Sequence, residues 1–61
     1  GYPISVARGA YWLGKTYKKL GDKELSIEWY NKAAKYLTTY YGQLAFMELN
    51  PNAKFELSKD I

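Results

Sequence analysis

Two residues, Gly21-Asp22, separate one helix-periodic run from the next. A joint that short between helices forces them to fold back as an antiparallel hairpin. Upstream of it, Ala10, Leu13, Gly14, Tyr17 and Leu20 recur at steps of three, one, three and three. That is one face of a helix, expected over about residues 4–20. Pro3 stands at its first turn, where a missing N–H costs little. Lys18 and Lys19 fall in its last turn, where cations complement the dipole, and Gly21 suits the left-handed position after it. Downstream, Asp22 is placed to cap a second helix, expected over about 22–37, with Glu24 in the first turn. Its apolar stripe comprises Leu25, Trp29, Tyr30, Ala33, Ala34 and Leu37. Glu28 and Lys32 form an i,i+4 pair on the outer side.

The stretch "TTYYGQLAFMEL", residues 38–49, predicts a third, short helix over about 39–49. Thr38 or Thr39 supplies its cap, and Asn50 before Pro51 ends it, because a residue ahead of proline is pushed out of the α region. The remaining residues, 51–61, are polar, with Phe55, Leu57 and Ile61 as their apolar points. They read as a tail or a linker toward a following domain, with a strand of that domain or a tail folded over the hairpin equally open. The expected fold is all-α: an antiparallel, repeat-like helix hairpin plus a third short helix, within residues 1–50.

Composition narrows the function classes. A 61-residue chain without cysteine or histidine has neither disulfides nor a Cys/His metal site to support its core. At this length folding buries only about 60% of the surface exposed by the unfolded chain, so eleven aromatic residues matter to the core. No run approaches the roughly 18 apolar residues of a membrane span, and the N-terminal residues do not read as a signal peptide. The net charge is +3, with five of the nine basic residues between Arg8 and Lys23. Lys15, Lys18 and Lys19 share a helical face, but no aromatic residue alternates with them as a stacking platform would require. The expectation is a solvated lysine face and no nucleic-acid partner. Glu24 and Glu28 mimic a carboxylate pair but belong to an exposed helix face. Nothing resembles a phosphate loop, a Ser/His/Asp set or a metal-ligand cluster, so no cofactor is expected and the chain carries no catalytic residues of its own.

The first two helices resemble a tetratricopeptide repeat. Leu13-Gly14, Tyr17, Ser26, Tyr30 and Ala33 occupy the positions of that pattern in order, while Ala10 and Thr38 depart from it. Gly14 and Ser26 are small where two helices must cross closely. Tyr17 and Tyr30 fill the widening groove, and Ala33 restores contact. Trp29 follows Leu25 at i+4 and precedes Ala33 by the same step, which places it in the core.

A closer resemblance adds Arg8, Tyr11-Trp12, Leu20-Gly21-Asp22, Trp29-Tyr30, Ala33-Ala34 and the run Thr38-Thr39-Tyr40-Tyr41-Gly42-Gln43-Leu44-Ala45. Over about residues 7–49 the chain resembles the α-superhelix of soluble lytic murein transglycosylases, just ahead of their catalytic domain. Lys15 and Ser26 differ from the residues frequent there. The resemblance implies that Thr39 caps, that Tyr40 and Tyr41 pack back into the hairpin groove, and that Gly42 lets the third helix touch the second. It implies a periplasmic parent that cleaves the glycosidic bond of peptidoglycan with a glutamate followed by serine. Glu24, Glu28, Glu48 and Glu56 all lack that serine, so the implied catalytic residues lie beyond Ile61. The chain would then be a non-catalytic segment whose partners are neighbouring helices and the catalytic domain, touching peptidoglycan through the parent. Trp12 lies off the Leu13/Tyr17 face; in a superhelix it would be covered by a preceding helical pair, and otherwise it offers a face for self-association. The alternative function is a tetratricopeptide-type adaptor binding a peptide in its concave face.

Overall fold

The computed structural model describes residues 3–52. Three helices succeed one another: α1 (Pro3–Leu20), α2 (Lys23–Ala34) and α3 (Tyr40–Leu49), with no strand among the described residues. The chain reverses at Gly21, whose φ of +85° is the left-handed conformation that glycine adopts without penalty. Two bonds close the end of α1: Gly21 N–H donates to the Lys18 carbonyl at 3.1 Å and Asp22 N–H to the Tyr17 carbonyl at 2.9 Å. Asp22 at once caps α2, its carboxylate accepting from Leu25 N–H at 3.1 Å. One left-handed residue and one cap therefore make the whole hairpin joint.

The buried arc of α1 differs from the expected one. Ala7, Ala10, Tyr11 and Gly14 are buried, whereas Leu13 is 38% exposed and Leu20 73%. Tyr17 is half-buried. The reason is α3, which packs against α1 as well as α2 and shifts the buried arc toward Tyr11. The Tyr11 ring lies 5.5 Å from that of Tyr41 and 5.8 Å from that of Tyr30, centroid to centroid. Ala10, Tyr11, Tyr30, Ala33 and Ala45 form the core, with Trp29, Ala34, Tyr41, Leu44 and Leu49 packed on its margin.

The second helix also stops early, at Ala34 and not at 37, leaving Leu37 exposed. Residues 35–38 form turns because Tyr36 N–H reaches back to the Ala33 carbonyl at 3.0 Å, and the Tyr36 carbonyl is taken by Thr39. Thr39 engages that oxygen twice, through its N–H at 2.9 Å and its hydroxyl at 2.7 Å. The same hydroxyl accepts from Gly42 N–H at 3.0 Å, so Thr39 is the cap of α3. A Cβ on Gly42 would collide with the Tyr36 carbonyl. The glycine thus admits α3 to the Tyr36 turn that follows α2. Only one of the two tyrosines turns inward: Tyr41 packs toward Tyr11 and Trp12, while Tyr40 is largely exposed.

At the far end, Asn50 leaves the helix with φ −131° and ψ 73°, and both its N–H and its side-chain amide donate to the Phe46 carbonyl. The pre-proline residue is bent out of the helix as sterics demand. The expectation of a tail or linker falls mostly on residues 53–61, outside the described residues.

Two glycines serve as opposite probes of this packing. Gly42→Ala must push a backbone carbonyl aside and is expected to cost about 2 kcal/mol or more. Gly9 lies inside α1 with nothing within 4 Å of an added Cβ, so Gly9→Ala should stabilise by roughly 0.5–1 kcal/mol. Thermal melts followed by circular dichroism check both; equal melting of Gly42→Ala and the parent chain would remove the close approach as a constraint.

Candidate interaction site

Where α1 and α2 cross, Gly14 has no side chain because the Tyr30 ring occupies the space. A Cβ there would sit 2.6 Å from Tyr30 Cδ1. Ser26 seals the crossing, its hydroxyl donating to the Gly14 carbonyl at 2.8 Å. Tyr30 itself is only 3% exposed, and its hydroxyl is buried without a hydrogen-bond partner among the described residues. Burial first, and then the nearby Glu48 carboxylate, push its pKa up to about 12. The Ser26 hydroxyl moderates that shift but does not meet hydrogen-bond geometry with it.

Close to Tyr30 an ion pair joins the first helix to the third. Lys18 Nζ lies 3.0 Å from Glu48 Oε1, with the two side chains 64% and 28% exposed. At that exposure the pair is worth about 0–1 kcal/mol. Its position is more informative than its strength. Lys18, Glu48 and Tyr30 line both of two open grooves. One groove, of about 640 Å³, carries an apolar wall of Ile27, Leu49 and Pro51, with Lys23 beside it. The other, of about 600 Å³, is walled by Trp12, Lys15 and Lys19.

Trp12 is 51% exposed. Its ring stands edge-on to Tyr11 at 5.3 Å, and the Lys15 ammonium lies 5.9 Å from its centroid. That ammonium is 5.7 Å from the Tyr11 ring as well, inside the range in which a cation is drawn to an aromatic face. An exposed indole flanked by cations is suited to holding an anionic group next to an apolar one.

The residues singled out in the sequence fall into three places. Gly14, Tyr30, Ala33, Gly42 and Ala45 are buried at helix contacts; Tyr17, Trp29, Tyr41 and Leu44 are half-buried around them; Leu13 and Trp12 face outward. Trp29 is therefore at the core margin and not inside it. The Lys32 ammonium sits 4.5 Å from the Trp29 centroid, so the indole face, and not Glu28 as expected, draws that cation. Sequence reasoning missed Lys18 and Glu48 as partners in one site. Lys18 and Glu48 are thirty positions apart, and only the packing of α3 brings them together, so no local pattern marks them.

Residues 7–36 match the family model of the tetratricopeptide repeat. The match spans the buried stretch of α1, the Gly21-Asp22 joint and α2, and ends at the Tyr36 turn. Over these residues the hairpin is similar to a tetratricopeptide repeat. No match was found among curated proteins or among solved structures.

The unpaired Tyr30 hydroxyl yields a pH prediction. Its pKa rises from 10.0 to about 12 on folding, so the folded state holds the proton more tightly. Its contribution is fully present below pH about 10 and is lost as pH climbs toward 12. Tyr30→Phe should make the urea midpoint fall less steeply across that window. At neutral pH it should leave stability unchanged or slightly raised, since it removes a buried donor without an acceptor. A parallel decline in both proteins would show that other groups govern the alkaline limb.

Proposed function

We propose that this chain is a non-catalytic structural segment of a periplasmic, peptidoglycan-cleaving lytic murein transglycosylase. It would help build the superhelix that positions the catalytic domain on glycan strands. The observation that carries this reading is the capped turn at residues 39–42. Thr39 holds the Tyr36 carbonyl and the Gly42 amide together, and Gly42 leaves no room for a side chain. The run from Thr38 to Ala45 resembles the stretch that leads from the superhelix toward the catalytic module in that family. Here the same residues set the start and direction of α3. A helix whose start is so closely constrained transmits a fixed orientation to the chain beyond it. The coding sequence downstream of Ile61 tests the reading. Within about one domain length, roughly 150 codons, it should specify a helical lysozyme-like module with a Glu-Ser pair. A stop codon, or further helical hairpins without that module, would overturn it.

A second reading is a tetratricopeptide-type adaptor. Its support is the repeat itself, together with the groove beside Trp12, where Lys15, Lys18 and Lys19 gather on one side of the hairpin. Repeat units of this kind present extended surfaces to partners. In this reading Trp12→Ser weakens capture of a protein partner while helicity by circular dichroism is retained, and equal capture by both proteins would count against it.

A further inference from the structure

The two grooves meet at a wall made by Lys18, Glu48 and Tyr30. Among the described residues, Glu48 is the only carboxylate lining either of them, against Lys15, Lys18 and Lys19 on one side and Lys18 and Lys23 on the other. We propose that Glu48 holds Lys18 as an internal stand-in for a ligand carboxylate, and that the two grooves together bind an acidic, apolar-rich peptide segment that displaces it. This deepens the adaptor reading and rests on it.

Three features point the same way. First, the Lys18 side chain is 64% exposed, and an ion pair at that exposure exchanges readily for another carboxylate. Second, the Tyr30 hydroxyl is a buried donor with no acceptor among the described residues. Native buried polar groups are nearly always paired, and a peptide oxygen that takes the place of the Lys18–Glu48 pair, and so uncovers this hydroxyl, supplies the missing acceptor. Third, apolar surfaces stand on both sides of the cations: Trp12 in one groove; Ile27, Leu49 and Pro51 in the other. A chain laid across the wall would set a carboxylate at Lys18 and drop neighbouring apolar side chains to either side. A single-stranded nucleic acid fits less well. It needs successive aromatic platforms, whereas the aliphatic wall offers no ring for a second base.

Fluorescence anisotropy with the full chain tests this, using a labelled peptide of alternating glutamate and leucine with both ends blocked. Blocking the ends confines the carboxylates to side chains. Glu48→Gln is expected to tighten binding by up to about fivefold, the equivalent of losing a competing surface ion pair. Lys18→Gln should weaken it about tenfold, the scale of one charge-assisted contact. Tyr30→Phe should weaken it about threefold while its melting temperature does not fall. Circular dichroism must show unchanged helicity in each variant. Should Glu48→Gln lose helicity, titrating the parent chain with the same peptide in which glutamine replaces glutamate decides the matter. Equal affinity for the two peptides overturns the site. Peptide binding by the parent chain that Glu48→Gln leaves unchanged or weaker overturns the stand-in and leaves the adaptor reading standing. No binding by any of the proteins removes both. Tighter binding of polyuridylate than of the peptide also overturns the proposal, assigning the lysines to nucleic acid.

Discussion

The three helices are held in register by the ring of Tyr30 lying against the bare backbone of Gly14. That contact lets the Tyr30 ring of α2 lie directly on the backbone of α1, and Ser26 secures it by bonding to the Gly14 carbonyl. Tyr11 then packs beside Tyr30 from α1 and meets Tyr41 from α3. The aromatic cluster is therefore continuous from the hairpin crossing to the third helix. In a chain that buries so little surface, this continuity lets one small core serve all three elements. The unsatisfied hydroxyl at its end is the cost of choosing tyrosine over phenylalanine there.

The second constraint is the Tyr36 carbonyl. Its two bonds to Thr39 use both lone pairs, and α3 begins where the threonine hydroxyl turns from donor to acceptor. Capping the third helix and ending the second are thus one event. A single oxygen sets the angle at which α3 lies across the hairpin, and that angle delivers Glu48 to Lys18 and forms the two grooves beside them.

Features governed by chemistry within a few residues were legible in the sequence. Gly21 and Asp22 announce a hairpin because left-handed backbone and N-cap chemistry are local; Thr39 and the Asn50-Pro51 boundary are readable for the same reason. The buried arc of α1 was not. Leu13 and Tyr11 flank the shared Ala10 and Gly14 on opposite sides of the helix, each extending a plausible apolar period, and only contact with α3 decides between them. The end of α2 was hidden for a related reason: Leu37 continues the helical period, but the Tyr36 carbonyl is already committed to Thr39. As for the candidate site, its aromatic half was visible in Trp12 and Tyr30. Its charged half joins residues with no sequence relation and forms only on folding.

Among the described residues, Ala7, Ala33 and Ala45 are 0% exposed. Removing a methyl group from such positions empties almost no volume, so truncation there costs less than truncation at Tyr11 or Tyr30. Adding a carbon at Gly14 or Gly42 meets the Tyr30 ring or the Tyr36 carbonyl. The fold tolerates loss better than gain: its alphabet at the helix contacts is bounded from above, and drift toward larger residues is the direction it cannot take.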